Sequence, residues 1–167
     1  NIHKVPYKDI DTVFLDAGNT LLSMDYPWIK EELEKLDISC EIDELKKAEA
    51  AARPVLSSAI ETLKSTEDRN TSFFYMGSIL KKLPATSGMN DNERDEIIRS
   101  LVINLLAPGR LKRFWANLIP GVEQALEILK QRGIRLSVVS NSNGMIEEII
   151  SGLNIRGYFI QVFDSHV

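Results

Sequence analysis

The sequence predicts an α/β fold: a parallel sheet whose chain is interrupted by a block of helices. Three observations predict it. A short, β-rich apolar run, Thr12-Val13-Phe14-Leu15, stands near the start. A strand, helix, strand series closes the chain between Ile134 and Phe163. Between the two lies a long stretch of helical periodicity, far more than one crossover connection needs.

Thr12 to Leu15 is short and β-branched and ends at Asp16, with Gly18-Asn19 after it, so a buried strand followed by a turn is expected. From Tyr26 to Phe114 the periodicity is helical. Trp28, Ile29, Leu33 and Leu36 set a first apolar face. Ile42, Leu45 and Ala48 to Ala52 set a second, which Pro54 is expected to kink or break. Phe73, Phe74, Met76, Ile79, Leu80 and Leu83 mark a third helix stopped by Pro84. After the loop Thr86 to Asn90, a fourth buries Ile97, Ile98, Leu101, Val102, Leu105 and Leu106 and ends at Pro108-Gly109. Pro120 then starts a helix with Val122, Ala125, Leu126 and Leu129 as its stripe and Gly133 as its C-terminal cap. Ile134 to Ser140 reads as a second strand, Asn141 to Gly144 as a polar turn, Met145 to Leu153 as a helix and Tyr158 to Phe163 as a third strand. The organisation expected is an α/β core made of residues 1–22 and 115–167, with residues 23–114 as an inserted all-helical domain.

Composition narrows the classes of function. The chain has 167 residues, 44% hydrophobic and 26% charged, which excludes a disordered chain. Twenty basic against 24 acidic residues give a net charge of −4, the wrong sign for a dedicated nucleic-acid binder. Cys40 is the only cysteine, so no internal disulfide framework exists and a reducing compartment fits. No apolar run approaches the roughly 20 residues of a membrane span, and no signal-peptide core opens the chain. A cytoplasmic protein acting on a small molecule, without nucleic acid or membrane, is the expectation.

Ligands of open parallel sheets bind beyond the carboxyl ends of the strands. Two of the strands end in polar clusters, Asp16-Ala17-Gly18-Asn19-Thr20 and Ser140-Asn141-Ser142-Asn143-Gly144. An aspartate at the tip of an apolar strand loses hydration and needs a partner or a metal. The glycine after it lets backbone N–H groups approach an anion, and a hydroxyl with an amide at the neighbouring tip adds donors. The plain alternative for each cluster is turn and helix-cap chemistry.

Val13-Phe14-Leu15-Asp16-Ala17-Gly18-Asn19-Thr20-Leu21-Leu22 resembles the first motif of the haloacid dehalogenase-like (HAD) hydrolase superfamily, an apolar strand ending in a nucleophilic aspartate with a threonine four residues on. Leu136-Ser137-Val138-Val139-Ser140-Asn141 resembles its second motif, and Ile119-Pro120-Gly121-Val122 its lead-in to that motif. The helical block is similar to the cap that one large subgroup inserts after the first motif. The resemblance implies a Rossmann-like parallel sheet core with an all-α cap, Asp16 as catalytic nucleophile, and Ala17, Gly18, Thr20, Ser140 and Asn141 as phosphate- or substrate-binding residues. It also implies Mg²⁺ held by Asp16, the backbone carbonyl of Gly18 and a further acidic residue beyond Val167.

Two departures from the family pattern bear on activity. The commonest first motif carries a second aspartate, the general acid and base of the phosphatases, where this chain has Gly18. The family continues past the third strand to a lysine and an acidic metal-binding motif, whereas this sequence stops at Asp164-Ser165-His166-Val167, so a longer protein is expected. The leading reading is a phosphatase-type hydrolase of a small phosphorylated metabolite. The alternatives are a 2-haloacid dehalogenase, whose halide leaves without a proton and which would need a cation such as Arg53 for the substrate carboxylate, or a non-catalytic relative that binds a ligand or partner.

Other residues are read more plainly. His3 and His166 lack metal-ligand spacing and are expected at the surface. Cys40, followed by acidic residues, is expected to be inert. Phe73-Phe74-Tyr75 is expected in the core of the helical block, with Tyr75, Tyr26 or Trp28 as alternatives for lining a substrate cavity. Glu31-Glu32 and Lys46-Lys47 are expected on solvated helix faces.

Overall fold

The computed structural model describes residues 7–60, 69–142 and 144–165. His3, His166, Val167 and Asn143 lie outside the described residues. Strands β1 (Thr12–Leu15) and β2 (Leu22–Ser23) come first, then helices α1 (Tyr26–Glu34), α2 (Ile42–Ile60), α3 (Arg69–Leu80), α4 (Asp91–Leu105) and α5 (Leu111–Phe114). The short strand β3 (Asn117–Leu118), helix α6 (Val122–Gln131), β4 (Arg135–Ser140), α7 (Ile146–Gly152) and β5 (Phe159–Asp164) follow. The chain divides into two compact units, Asn1–Ser23 with Trp115–Val167, and Met24–Phe114.

In the first unit the β-branched runs form a parallel sheet in the order β1-β4-β5. Parallel pairing requires crossovers, and α7 supplies the one between β4 and β5. Leu136 and Val138 of the central strand, with Val13, Leu15 and Val162, pack on Val122 and Leu126 of α6 and Ile146 and Ile150 of α7. On the opposite face Ser137 is buried, but several apolar side chains of the described residues are exposed. Phe14, Val139 and Phe163 are 61%, 45% and 40% exposed there, and the Phe14 and Phe163 rings stand 6.2 Å apart. Among the described residues β1 pairs with β4 alone; Val13 and Leu15 pack on the core while Phe14 is exposed. Helix α6 begins after Gly121, whose φ of 88° is open to glycine, so Pro120 precedes the helix rather than starting it. Gly133 closes it as expected: at φ 75° it donates to Lys130 O, while Ile134 donates to Leu129 O at 3.1 Å, a Schellman ending. The two-residue strands β2 and β3 pair antiparallel, too short for any sequence signal.

The second unit is helical. Asp25 caps α1 by accepting from Trp28 N at 3.1 Å, and Asn90 and Glu93 form a capping box at the start of α4. Ile29, Leu33, Leu45, Ile79, Leu80, Leu101 and Leu105 are buried, as their spacing predicts, while Phe74 is exposed and Ile97 and Leu106 are half-buried. Pro54 does not break α2, which runs on to Ile60. Both Pro54 and Ala50 are exposed, so the carbonyl that loses its donor faces water. Among the described residues no helix is long and apolar enough to cross a membrane.

Two carboxylates are buried on the apolar faces of their helices, Glu32 beside Trp28 and Ile29 and Glu49 beside Leu45 and Ala52 in helical spacing. Glu32, expected on a solvated face, accepts from Trp28 Nε1 at 3.2 Å, Lys35 Nζ at 2.7 Å and Arg110 at 3.4 Å. Glu49 is fully buried, and its carboxylate accepts from both Tyr26 and Tyr75 hydroxyls and from Arg53 Nε at 2.7 Å. Burial pushes the Glu49 carboxyl up, but the bonds from Arg53, Tyr75 and Tyr26 together outweigh it and hold it below the ordinary glutamate range. Burial and the Glu49 charge push the Tyr26 phenol up to about 12. A carboxyl depressed on folding stabilises the fold fully above its unfolded value near pH 4.3 and loses that contribution as pH falls through the folded value. A helical-unit melting curve should therefore drop below about pH 4.3. Glu49→Leu, which strands two phenols and Arg53, should cost about 3 kcal/mol in denaturant unfolding and reduce that acid sensitivity, leaving the share of Glu32, which Lys35 also holds below the ordinary range.

Candidate active site

The C-terminal ends of the three parallel strands define the candidate site, and all of its residues belong to the α/β unit. Leu15 pairs with Val138, so Asp16, which follows β1, and Ser140, which ends β4, emerge at the same end of adjacent strands. Ser140 in turn pairs with Asp164, which ends β5. Asp16 is exposed.

The turn after Asp16 is wound around one carbonyl. Ala17 O accepts from Leu21 N and Leu22 N, both at 2.9 Å, and from Thr20 N at 3.3 Å, while Asn19 N donates to Leu22 O at 2.8 Å. Asn19 sits at φ 58°, a left-handed conformation that asparagine tolerates. The winding takes up the amides of residues 19 to 22 and leaves those of Ala17 and Gly18 outside it. Thr20 is exposed. Gly18 has Trp115 beside it: a Cβ added at the glycine would meet the indole at 3.8 Å, ordinary van der Waals contact. Asn19 Oδ1 is a buried oxygen with no hydrogen-bond partner.

The loop after β4 is tied to the end of β5. Ser140, nearly buried, accepts at its carbonyl from Ser165 N at 3.0 Å. Ser165 Oγ donates to Asn141 Oδ1 at 2.6 Å. The Ser142 hydroxyl donates to the Asp164 carboxylate, as does Ile146 N at 3.5 Å. Sequence reasoning names Ser140 and Asn141 but not Asp164 or Ser165. Their only sequence signal is a pair of polar residues at the carboxyl end of a predicted strand.

The described oxygens at the β1 tip are a carboxylate (Asp16), a main-chain carbonyl (Gly18) and the unpartnered Asn19 Oδ1. All are hard donors, the chemistry that Mg²⁺ takes with one or two carboxylates and retained waters. Among the described residues no three His, Cys, Asp or Glu side chains cluster in a way that could hold a metal by themselves. Fit to Mg²⁺ thus rests on the oxygen character of these donors.

The remaining candidates lie in the helical unit. Arg53 is engaged by Glu49 through Nε and one Nη, and Tyr26 and Tyr75 are buried with their hydroxyls on the same carboxylate, so all three hold the unit together. Trp28 is likewise buried, with Arg113 stacked 5.1 Å from its ring. Cys40 is buried and burial pushes its thiol up, away from reactivity. A groove of about 430 Å³ between α3 and α4, lined by Phe73, Phe74, Gly77 and Ile98 with Lys81, Asp95 and Arg99, contains none of the candidate site residues.

A family model described as haloacid dehalogenase-like hydrolase matches residues 10–167. Among curated proteins, none matches the chain. Several solved structures share the fold. A hydrolase from Streptococcus pneumoniae TIGR4 is 20% identical with a TM-score of 0.54, over 93% of this chain and 67% of that one. The HAD-hydrolase YfnB from Bacillus subtilis, bound to magnesium, is 16% identical with a TM-score of 0.50, over 93% of this chain and 65% of its own. The L-2-haloacid dehalogenase from Xanthobacter autotrophicus, with chloropropionic acid covalently bound, is 12% identical with a TM-score of 0.50, over 93% and 56%. The chain thus spans between 56% and 67% of the length of these structures.

Proposed function

Since this chain belongs to the haloacid dehalogenase-like hydrolase family, we propose that it carries phosphatase-type chemistry toward a small phosphorylated metabolite, with Asp16 as nucleophile. The observation that supports this reading is the placement of an exposed carboxylate at the tip of β1, next in the sheet to the Ser140-Asn141 tip of β4. In it, Asp16 attacks phosphorus, the P–O bond to the leaving group breaks, and the aspartyl-phosphate so formed is hydrolysed by water to aspartate and orthophosphate. The amides of Ala17 and Gly18, the Thr20 and Ser140 hydroxyls and the Asn141 amide orient the phosphoryl oxygens. Mg²⁺, held by Asp16 and the Gly18 carbonyl with a further acidic ligand, would neutralise charge on those oxygens. The helical unit is assigned the role of substrate-selecting cap.

Gly18 shapes the substrate class. It can neither protonate a leaving alkoxide nor activate water, and an indole rather than a carboxyl lies against it. Acyl and aryl phosphates, whose leaving groups depart as stable anions, are therefore favoured over alkyl phosphates. The same feature supports the second reading, a 2-haloacid dehalogenase, because a halide departs unprotonated. Assay of the full-length protein with Mg²⁺ separates the two. Orthophosphate release from aryl or acyl phosphates, faster than from alkyl phosphates, is expected. Chloride release from 2-chloropropionate without phosphate release would reverse the assignment.

A further inference from the structure

We infer that Asn19 is a metal-binding residue of the β1 tip, its side-chain oxygen serving as a further ligand for Mg²⁺ beside the Asp16 carboxylate and the Gly18 carbonyl; this rests on the reading of that tip as the phosphoryl site. Asn19 Oδ1 is buried, and no hydrogen-bond donor reaches it. Buried acceptors are almost always paired, and one that is not points to an ion, a water or a ligand. Every residue of the turn from Asp16 to Leu22 is described, and none of the turn's own donors satisfies this oxygen.

The ordinary uses of asparagine in a turn do not account for it. An asparagine side chain commonly accepts from the backbone N–H two residues on. Here Leu21 N donates to Ala17 O at 2.9 Å instead, and the amides of Thr20 and Leu22 go to the same carbonyl. The φ of 58° accounts for a residue that tolerates left-handed backbone, but glycine meets that need and brings no oxygen to bury. A buried water fits poorly, because it has two protons to give and the tip is rich in acceptors. The Asp16 carboxylate, the Gly18 carbonyl and Asn19 Oδ1 all come from the four residues 16 to 19. One hard cation satisfies several such oxygens at once, and closely spaced residues of a single loop are a common source of its ligands. The amide oxygen is uncharged, so it adds to the metal's coordination without adding an anion where a phosphoryl group would arrive.

The test is calorimetric titration of Mg²⁺ alone into the full-length protein, with thermal midpoints taken with and without the metal. Asn19→Gly, which suits the backbone conformation and removes the oxygen, should weaken Mg²⁺ binding by about tenfold or more, the loss that even an outer-sphere partner brings. Its midpoint without metal should be no lower than that of the wild-type protein, because an unpaired buried acceptor is gone. Its gain in midpoint on adding Mg²⁺ should be smaller. Asn19→Asp, which keeps an oxygen and tolerates the same φ, should bind Mg²⁺ more tightly than the wild-type protein. Unchanged affinity in Asn19→Gly, weaker binding in Asn19→Asp, a fall in the metal-free midpoint of Asn19→Gly, or no Mg²⁺ binding by the wild-type protein would each overturn the inference. So long as the wild-type protein releases orthophosphate from aryl or acyl phosphates, the proposed function stands through any of these. A wild-type protein that neither binds Mg²⁺ nor releases phosphate would overturn both.

Discussion

Replacing Asp16 with asparagine in the full-length protein should reduce phosphate release by about 10³–10⁶-fold, the range seen when a covalent nucleophile is removed. The substitution is close to isosteric and the side chain is exposed, so the unfolding midpoint should be unchanged. Rate and stability then separate cleanly: a carboxylate that merely caps the turn would give the opposite pattern, a small stability loss with turnover intact. The turn itself argues for this separation. Its main-chain bonds run to the Ala17 carbonyl and the Leu22 carbonyl, so the backbone closes the turn by itself. Trapping with acid quench offers a second check, since only the wild-type protein should yield a hydroxylamine-sensitive aspartyl-phosphate. A variant that retains turnover would remove Asp16 from the mechanism.

The second large effect is a gain. Gly18→Asp should raise the rate on alkyl phosphates by about 10²–10⁴-fold, the range general acid–base catalysis supplies. The backbone permits it, because Gly18 does not occupy the left-handed region and the new Cβ would meet Trp115 only at ordinary contact distance. Aryl and acyl phosphates, which need less proton assistance, should gain far less. A plot of log kcat/KM against leaving-group pKa is the measurement: steep for the wild-type protein, shallow for the variant. Parallel plots of equal slope would mean that the new carboxyl does not reach the leaving group.

Much of this was legible in the sequence, and the reasons differ by element. The first strand and the turn after it are local events, set by β-branched residues, a glycine and an asparagine within nine positions of one another, Thr12 to Thr20. Gly133 announces a helix end for the same kind of reason, since the left-handed geometry it adopts is a property of that residue. Glu32 and Glu49 were not legible as buried groups. Their burial depends on partners such as Arg110 and Tyr75, which lie 78 and 26 positions away, and periodicity cannot report such partners. Pro54 misleads because its cost depends on whether the bereft carbonyl meets water, a question of which face is outward. Asp164 and Ser165 stayed invisible because their meaning lies in strand register: only the pairing of Ser140 with Asp164 shows what the neighbouring hydroxyl can reach.

The exposed apolar side chains on the sheet face opposite α6 and α7 have a practical corollary. Two aromatic rings and a branched aliphatic side chain, open to water on a surface of neighbouring strands, make a platform on which planar dyes and other nonpolar solutes will gather. A polypeptide of this sequence should brighten 8-anilinonaphthalene-1-sulfonate at neutral pH while still giving a native near-ultraviolet spectrum. Phe14→Lys together with Phe163→Lys should quench that brightening and delay salting-out. That behaviour would trace to the sheet face opposite α6 and α7.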